Sequence, residues 1–367
     1  TLLITVTFSE NVTVTGTPQL TLETGSTDAV LNYVSGSGTA TLVFRYIVVS
    51  GHTSADLAYG STTALALPDT TVKIRDNLAN DGVLTLPVSG AANSLQANKA
   101  LVIDTELPTA GTVNDGSGTD ITYTNSSTSL TANWTGFSDA LSGIASYKAA
   151  IEDETGSSVV AWTDVGNINT WTATDLSLSN ATTYHTVIRA ADAAGNLSID
   201  ASTNGVTVDI DGPVIGYVLD GDTGDIDWTN DTTALSLTWD GFSDTLSGLS
   251  YYEYAVGTTA GGAGTVSWTS ATRLDSMAVE SSLSLTNTTT YYASVRAVDS
   301  VANVSSIATS GGFTIDTDLP QIVYVNEGSA AADMDIQNMD TVLSTGWQGT
   351  DTSPGSGIQY YEVALGT

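Results

Sequence analysis

The sequence predicts an all-β protein, a tandem and elongated array of Greek-key β-sandwiches, and three observations predict it. Segments that alternate apolar and polar residues recur between Gly-rich breaks, and no ten-residue helical period stands out. A segment with acids at i and i+2 and a closing proline occurs three times, at residues 104–108, 209–213 and 316–320. Its prolines lie 105 and 107 residues apart, which is the length of one small sandwich.

Composition narrows the function classes. Forty acidic residues against eight basic ones give a formal net charge of -32 over 367 residues, which would repel nucleic acid and anionic lipid. Divalent cations are the natural partners of such a surface. Cysteine is absent, so disulfide-stapled modules are excluded. The sequence has no apolar run long enough to insert into a membrane, and no signal peptide stands at its start. We expect a segment of a longer protein that opens in mid-strand and stops in mid-domain.

The first predicted domain covers residues 1–104. Its strands are indicated by alternation, with Leu42, Phe44 and Tyr46 on one face. The strings TFSENVTVTGTPQLTLETG, YVSGSGTATLVFRYIV and ANKALVIDTELP resemble bacterial immunoglobulin-like repeats, which occur in tandem in very large surface proteins. The resemblance implies an immunoglobulin-like sandwich, here without its first strand.

The next two predicted domains, residues 105–208 and 209–315, are one repeated module. The string NWTGFSDALSG, which begins at Asn133, returns 105 residues later as TWDGFSDTLSG. A Trp in an early strand, a Tyr in the next, and a Leu before a Tyr that opens a V-R-A-type strand make both domains similar to fibronectin type III modules. Such a Tyr packs its ring in the core and bonds its hydroxyl to upstream backbone. Residues 316–367 begin a further module of this kind, truncated.

Acidic residues fall where such a sandwich has one pole. The linker that leads into a domain, the loop after the second strand and the loop after the sixth strand meet there. Hard oxygen ligands numbering six to eight are what Ca²⁺ requires, so we predict calcium sites that fix one domain against the next. The predicted ligands are Asp104, Glu106, Asp139, Asp192 and Asn196; Asp209, Asp211, Asp244, Asp299 and Asn303; and Asp316, Asp318 and Asp351.

The resemblance supports calcium, and ordinary turn chemistry offers an alternative. The pattern Asp-x-x-Gly-Asn, at residues 192–196, is common in bacterial tandem immunoglobulin-like repeats, some of which bind calcium at their junctions. The third domain departs from the pattern, because residue 302 is Ala where the second domain has Gly195. Asp and Asn also favour turns by bonding their own backbone, and linker acids can simply be solvated. For the loop at Asp76 in the first domain, which has no linker to pair with, we favour the turn interpretation.

No catalytic chemistry is predicted. Histidine occurs only as His52 and His185, and Tyr292 occupies the position of His185 in the third domain. The pattern contains no phosphate-binding glycine loop and no nucleophile elbow. Trp162 and Trp268 lie in matching segments and could stack on sugars, although packing against the sheet is the favoured interpretation.

Three hypotheses follow. The first is a non-catalytic, adhesive or structural segment of an extracellular bacterial cell-surface protein, a calcium-stiffened stalk or filament used in cell adhesion. Its partners are the neighbouring repeats of the same polypeptide, other copies of itself, or a surface glycan or protein. The second is a set of accessory carbohydrate-binding or spacer modules of a secreted polysaccharide-active enzyme. The third is a self-assembling surface fibre or sheath subunit, held through open sheet edges.

Overall fold

The computed structural model describes residues 1–271, 274–327, 345–352 and 354–364. They form two compact units: residues 1–122 with 127–208, and residues 123–126 with the described part of 209–367. The described residues hold 27 strands and a single helix of four residues, so the predicted all-β class is confirmed. The four predicted domain boundaries remain predictions. The last predicted domain includes residues 328–344, 353 and 365–367, which lie outside the described residues.

The first sandwich is built around one long strand. The elements are β1 Leu2–Thr15, β2 Gln19–Glu23, β3 Ala29–Ser35, β4 Thr39–Tyr46, β5 Ala58–Tyr59, β6 Leu65–Ala66, β7 Lys73–Arg75 and helix α1 Leu95–Asn98. The strand order is β5-β2-β3-β4-β1-β7, and β6 pairs with β2. Strand β1 pairs with β4 through residues 2–7 and residue 12, and with β7 through residues 13–15, so it joins β4 to β7. Leu42, Phe44 and Tyr46 are buried on one face, as predicted.

The second sandwich packs a three-stranded sheet on a larger one. The strands are β8 Thr112–Asp115, β9 Tyr123–Thr124, β10 Leu130–Thr135, β11 Ile144–Asp153, β12 Ser158–Gly166, β13 Thr170–Ala173, β14 Thr183–Asp192, β15 Ala201–Ser202 and β16 Val206–Val208. One sheet has the order β13-β10-β8, and the other runs β12-β11-β14-β16 with β15 beside β14. Strand β9 is counted with the second unit.

The third sandwich repeats this plan inside the second unit. The strands are β17 Tyr217–Leu219, β18 Trp228–Thr229, β19 Leu235–Asp240, β20 Leu249–Gly257, β21 Val266–Ser270, β22 Met277–Glu280, β23 Thr290–Asp299, β24 Ala308–Thr309 and β25 Phe313–Ile315. The sheets are β17-β19-β22 and β18-β25-β23-β20-β21, with β24 beside β23. After them, β26 Gln321–Glu327 pairs antiparallel with β27 Thr345–Thr350.

Aromatic residues hold the layers together, and the predicted corner tyrosines are confirmed. Trp134 of β10 is buried and meets Tyr147 of β11 edge-on, with ring centroids 5.4 Å apart. The hydroxyl of Tyr184, at the start of β14, accepts a hydrogen bond from the backbone N–H of Ser179 at 2.9 Å. No helix among the described residues has the length and apolar character needed to cross a bilayer.

Candidate metal centres

Three carboxylates that are distant in sequence converge at one pole of the second sandwich. Asp104 comes from the linker, Asp139 from the loop after β10, and Asp192 from the end of β14. One oxygen from each lies within 4.8 Å of the other two. Asp104 and Asp192 are buried, and Asp139 is half-buried. The structure therefore brings together the linker and the two loops that the sequence predicted to meet.

The loop after β10 curls around the Asp139 carboxylate. Its Oδ1 accepts the backbone N–H groups of Leu141, Ser142 and Gly143 at 3.1, 2.8 and 2.8 Å. Burial acts to raise the pKa of Asp139, but these hydrogen bonds outweigh it, and the pKa lies below its ordinary value. Gly143 has φ +74°, a conformation that suits glycine, so the turn depends on it. The carboxylate is held charged and facing the linker.

The loop after β14 fixes the second carboxylate through Asn196. Asp192 Oδ1 accepts the Asn196 backbone N–H at 2.8 Å, and its Oδ2 accepts the Asn196 side-chain amide at 2.7 Å. The same amide nitrogen donates to the main-chain carbonyl of Asp104 at 3.2 Å. One side chain therefore closes its own loop and binds the linker.

The linker is held on both sides. Asp104 Oδ1 accepts the Glu106 N–H at 3.0 Å, and its Oδ2 accepts the Ser142 N–H at 3.2 Å. The next residue, Thr105, bonds the first sandwich, since its hydroxyl accepts the Gly51 N–H at 2.9 Å and donates to the His52 carbonyl at 3.2 Å. Consecutive linker residues are thus bonded to the domain before and the domain after.

The third sandwich repeats the arrangement with Asp209, Asp244 and Asp299, whose carboxylate oxygens also lie within 4.8 Å of one another. Asp209 Oδ2 accepts the Ser247 N–H at 3.1 Å, and Asp244 Oδ1 accepts the Gly248 N–H at 2.7 Å. Two independent copies of one geometry, 105 to 107 residues apart, indicate a constrained arrangement rather than scattered surface acids.

Asn303 performs the role of Asn196 in this copy. Its side-chain amide donates to Asp299 Oδ2 at 2.7 Å and to the main-chain carbonyl of Asp209 at 2.9 Å. The loss of the glycine found in the second domain is tolerated because Ala302 adopts φ +71°, the conformation that glycine would supply. The departure in sequence therefore leaves the loop geometry intact.

Asp209 carries an oxygen that the protein does not satisfy. The residue is completely buried, and its Oδ1 has no hydrogen-bond partner among the described residues. A buried anionic oxygen is costly without a hydrogen-bond donor or a cation. Since this oxygen belongs to a residue of the three-carboxylate group, it is one of the atoms that could bind a cation there.

The protein supplies no cation of its own to either group within the described residues. The ion pairs there are Arg75 with Asp81, Arg189 with Asp200, and Arg296 with Glu253. None of them includes a carboxylate of the two groups. Three like charges within 4.8 Å repel one another at low dielectric unless a cation or a proton intervenes.

The third linker reproduces part of the geometry. Asp316 Oδ2 accepts the Ser356 N–H at 2.7 Å, and this bond lowers the pKa of Asp316 below its ordinary value. Asp351 Oδ2 accepts the Gly357 N–H at 2.8 Å, in the manner of Asp139 and Asp244. Asp318 instead accepts the Thr352 hydroxyl at 2.8 Å and the Asn287 amide at 3.1 Å.

Some predicted ligands lie outside the carboxylate groups. Glu106 and Asp211, the second acids of their linkers, have exposed side chains and are not among the converging carboxylates. Asn196 and Asn303 lie beside the groups and orient them. Asp76 of the first domain makes the same local loop, with its Oδ1 accepting the Asn80 N–H at 2.8 Å, but it joins no such group among the described residues.

Sequence reasoning missed the backbone donors that seat the linker. These are the N–H groups of Ser142, Ser247 and Ser356. A signal was present, because each serine precedes a glycine in all three modules. The donors are main-chain groups, and residue-type patterns of side chains do not reveal them.

The donor set fits a hard divalent cation. Carboxylate oxygens dominate, imidazole and thiolate are absent from both groups, and main-chain carbonyls lie close by. Ca²⁺ takes six to eight such oxygens in flexible geometry, whereas Mg²⁺ demands a near-ideal octahedron and retains water. The three carboxylates of each group would supply the charge.

Trp162, which is exposed, and Trp268, which is half-buried, each face an arginine. The guanidinium of Arg189 lies 4.2 Å from the Trp162 ring centroid, and that of Arg296 lies 4.5 Å from the Trp268 ring centroid. Each guanidinium is also held by an acid, Asp200 or Glu253. One face of each indole is therefore covered by a cation–π contact.

Comparison with known proteins gives a distant relative. No family model matches the chain. The chain is 28% identical over 376 aligned residues to exoglucanase B of Cellulomonas fimi, an alignment that covers 96% of the chain and 31% of that enzyme. The chain thus spans about a third of the length of this relative. A crystal structure of the FN1–FN3 domains of chicken CNTN1 matches with TM-score 0.32 and 12% identity, covering 86% of this chain and 98% of that one.

Proposed function

We propose that this chain is a non-catalytic spacer segment of a secreted, polysaccharide-active protein, and that its linkers bind calcium. The observation that carries the calcium proposal is the convergence of a linker aspartate with two loop aspartates in each of two successive sandwiches. The likeness to a bacterial exoglucanase along 96% of the chain supports the polysaccharide context. The catalytic work would belong to a domain of another fold in the same protein.

The cation would act on the linker. Asp104 bonds the second sandwich through Ser142, while its neighbour Thr105 bonds the first sandwich through Gly51 and His52. A calcium ion held by Asp104, Asp139 and Asp192 would add direct bonds between the linker and two loops of the second sandwich. Fixing the linker in this way would restrict the angle between the first two sandwiches, and it would stabilise the folded state in proportion to calcium occupancy.

A stalk or filament of a cell-surface protein is the second candidate. The recurrence of the linker bond at a third position, Asp316 with Ser356, favours it, since a long run of similar junctions suits a stiff fibre. Calcium binding is common to both candidates. The two candidates differ in their relation to polysaccharide. The spacer would belong to a protein that acts on polysaccharide, and the stalk would not.

Calcium titration of the whole chain tests the linker proposal. We expect isothermal titration calorimetry to detect calcium binding in the native chain, and Asp192→Asn and Asp299→Asn each to remove one binding event. Asp76→Asn is the matched control, because it alters the same kind of Asp–Asn loop where no linker carboxylate joins. Absence of binding at millimolar calcium would reject the calcium proposal and leave the spacer role standing.

The absence of cysteine allows a direct measurement of linker stiffness. Cysteines placed at the exposed Ser35 and Ser158 can carry spin labels on the first and second sandwiches. We expect calcium to narrow the distance distribution between the labels relative to chelator, and Asp104→Asn to abolish this narrowing. An unchanged distribution in the native chain would mean that calcium does not restrict this linker.

Binding to insoluble polysaccharide separates a spacer from a carbohydrate-binding module. With one face of Trp162 and of Trp268 covered by arginine, we expect the chain to remain in the supernatant with cellulose, xylan or chitin. Retention on one of them, lost in Trp162→Ala with Trp268→Ala, would assign a carbohydrate-binding role in place of the spacer role.

A further inference from the structure

The two carboxylate groups differ in how far the protein's own donors satisfy the linker aspartate. In the second sandwich, both oxygens of Asp104 accept a backbone N–H, one from Glu106 and one from Ser142. In the third sandwich, Asp209 Oδ2 accepts the Ser247 N–H at 3.1 Å. Asp209 Oδ1 has no partner among the described residues, although Asp209 is 0% exposed. One buried carboxylate oxygen is therefore left over in the third sandwich and not in the second.

A serine hydroxyl beside Asp209 is also left over. Ser247 Oγ is buried and has no hydrogen-bond partner within the part of the chain that the structure describes. Ser142, at the same position 105 residues earlier, donates its hydroxyl to Asp139 Oδ1 at 3.5 Å. The Ser247 backbone N–H bonds Asp209, so the two unpartnered oxygens belong to residues in direct contact. One of these oxygens is charged and the other is neutral.

The two loops of the third sandwich are tied together by one more hydrogen bond than those of the second. The N–H and the hydroxyl of Ser300 both donate to the Gly248 carbonyl, at 3.0 and 3.2 Å. Ala193 occupies the position of Ser300 in the second sandwich, so an N–H alone reaches the Gly143 carbonyl there, at 3.1 Å. Loops that are already fixed lose less conformational freedom when a ligand binds between them.

These differences predict unequal affinities for a cation. A buried polar atom without a partner raises the free energy of the site before it binds an ion, and a cation bound to that atom removes the cost. Both oxygens of Asp104 are already hydrogen-bonded, so a cation relieves less in the second sandwich. Repulsion among three carboxylates within 4.8 Å is common to the two groups and does not distinguish them.

Given the calcium binding proposed for both linkers, we propose that the third sandwich binds calcium first, with Asp209 Oδ1 and the Ser247 hydroxyl among the ligands. Calcium takes oxygen ligands, and a serine hydroxyl oxygen supplies lone pairs without adding charge. The site of the second sandwich then fills at a higher calcium concentration. As calcium falls, the linker between the first and second sandwiches is therefore the first to lose its ion.

Amide hydrogen exchange of the whole chain, followed at increasing calcium concentration, measures the two sites separately. The Gly248 N–H bonds Asp244 in one site, and the Gly143 N–H bonds Asp139 in the other. We expect the protection of Gly248 to rise at a calcium concentration about tenfold lower than that of Gly143. This factor corresponds to about 1.4 kcal/mol, which lies within the cost of leaving a buried polar group without a partner. Amides in the middle of β14 and β23 are the references for global unfolding.

Ser247→Ala tests the hydroxyl as a ligand. The substitution keeps the backbone N–H that bonds Asp209, and it breaks no side-chain hydrogen bond among the described residues. We expect the calcium midpoint of Gly248 to rise about fivefold. The Gly143 midpoint in the same molecule is the internal control and should stay where it is. Ser142→Ala, the matched change in the second sandwich, should shift the Gly143 midpoint by less than Ser247→Ala shifts that of Gly248.

The outcomes separate this proposal from calcium binding itself. No change in protection at either glycine up to millimolar calcium would reject calcium binding, and the order of filling with it. Equal midpoints in the native chain, or a lower midpoint for Gly143, would overturn the order and leave calcium binding intact. A Gly248 midpoint that is the same in Ser247→Ala and in the native chain would overturn the assignment of the hydroxyl as a ligand.

Discussion

The side-chain amide of Asn196 donates to the main-chain carbonyl of Asp104, 92 residues earlier in the chain, at 3.2 Å. Asn303 makes the same bond to Asp209 at 2.9 Å across 94 residues. These bonds do not involve the carboxylates of the linkers. Each linker is therefore seated on the sandwich that follows it before any ion is considered.

Removal of the asparagine should loosen the linker and its own loop together. We expect Asn196→Ala to destabilise the second sandwich by about 2 kcal/mol, since it removes two side-chain hydrogen bonds of about 1 kcal/mol each, one of them to a buried carboxylate. Hydrogen exchange of β14 amides measures the loss. Calcium affinity should fall in parallel if the site is a metal centre.

Asn80→Ala is the control for that substitution. Asn80 closes an equivalent loop on Asp76, with its amide 2.7 Å from Asp76 Oδ2, but the loop is exposed, and within the described part of the chain the amide has no bond to a linker. We expect a loss below about 1 kcal/mol in the first sandwich. Equal losses in the two variants would show that the bond from Asn196 to the linker contributes nothing.

The corner tyrosines should be worth about 1 kcal/mol each through their hydroxyls. Tyr184→Phe leaves the ring in place and deprives the Ser179 N–H of its acceptor, and Tyr291→Phe does the same to Thr286. Tyr217→Phe, at a 53% exposed position, should change the unfolding free energy little. Chemical denaturation followed by tryptophan fluorescence reports both sandwiches, because all seven tryptophans lie beyond residue 133.

Replacement of Gly205, which directly precedes β16, is predicted to destabilise the second sandwich. Gly205 has φ +103°, and an added Cβ would lie 2.6 Å from His185 Cε1. Gly156 has φ +80° with open space around it, so Gly156→Ala carries the conformational cost alone, about 1 kcal/mol. We expect Gly205→Ala to cost at least twice as much. Thermal melts of the two variants separate the clash from the backbone strain.

Stability of the second sandwich should depend on pH through Asp115. Since burial raises its pKa to about 6, its contribution is complete below pH 3.8 and is lost as pH rises through 6. Asp115→Asn removes the charge at nearly constant shape, so we expect a gain of about 1 to 2 kcal/mol at pH 7.5 and almost none at pH 4. The gain is measured from the exchange rates of β14 amides in the native chain and in Asp115→Asn at the two pH values. A gain that is equal at both pH values would refute the role of the charge.

The sequence predicts the carboxylate groups because they follow from repetition and connectivity. Asp104, Asp139 and Asp192 occupy a linker and two loops that the topology of a sandwich brings to one pole, and their counterparts recur one module later. The sequence pattern also includes Glu106 among the ligands. Glu106 stands two residues after Asp104, and its side chain is exposed. Which of two neighbouring acids turns inward depends on the backbone donors of Ser142 and Glu106, and those are main-chain groups.

The burial of Asp115 and Asp220 was not predicted from the sequence, for a different reason. Both stand in Gly-rich turns, where acids are usually solvated. Their burial comes from Gly205 and Gly312, which lie 90 and 92 residues away. A signal existed in the shared period, since both the acids and the glycines recur one module later. Recurrence within the chain does not distinguish an acid that forms a turn from an acid that makes a buried hydrogen bond.

The long sequence separation between each linker and its asparagine also sets an order in time. A chain made from its N-terminus at about 5 to 20 residues per second presents Asp104 roughly 5 to 18 seconds before Asn196 is synthesised. During that interval the Asp104 carbonyl lacks the Asn196 amide, whereas the Ser142 N–H that bonds the Asp104 carboxylate is already synthesised. The bond from each asparagine to its linker can therefore form only after the module that follows the linker has been synthesised.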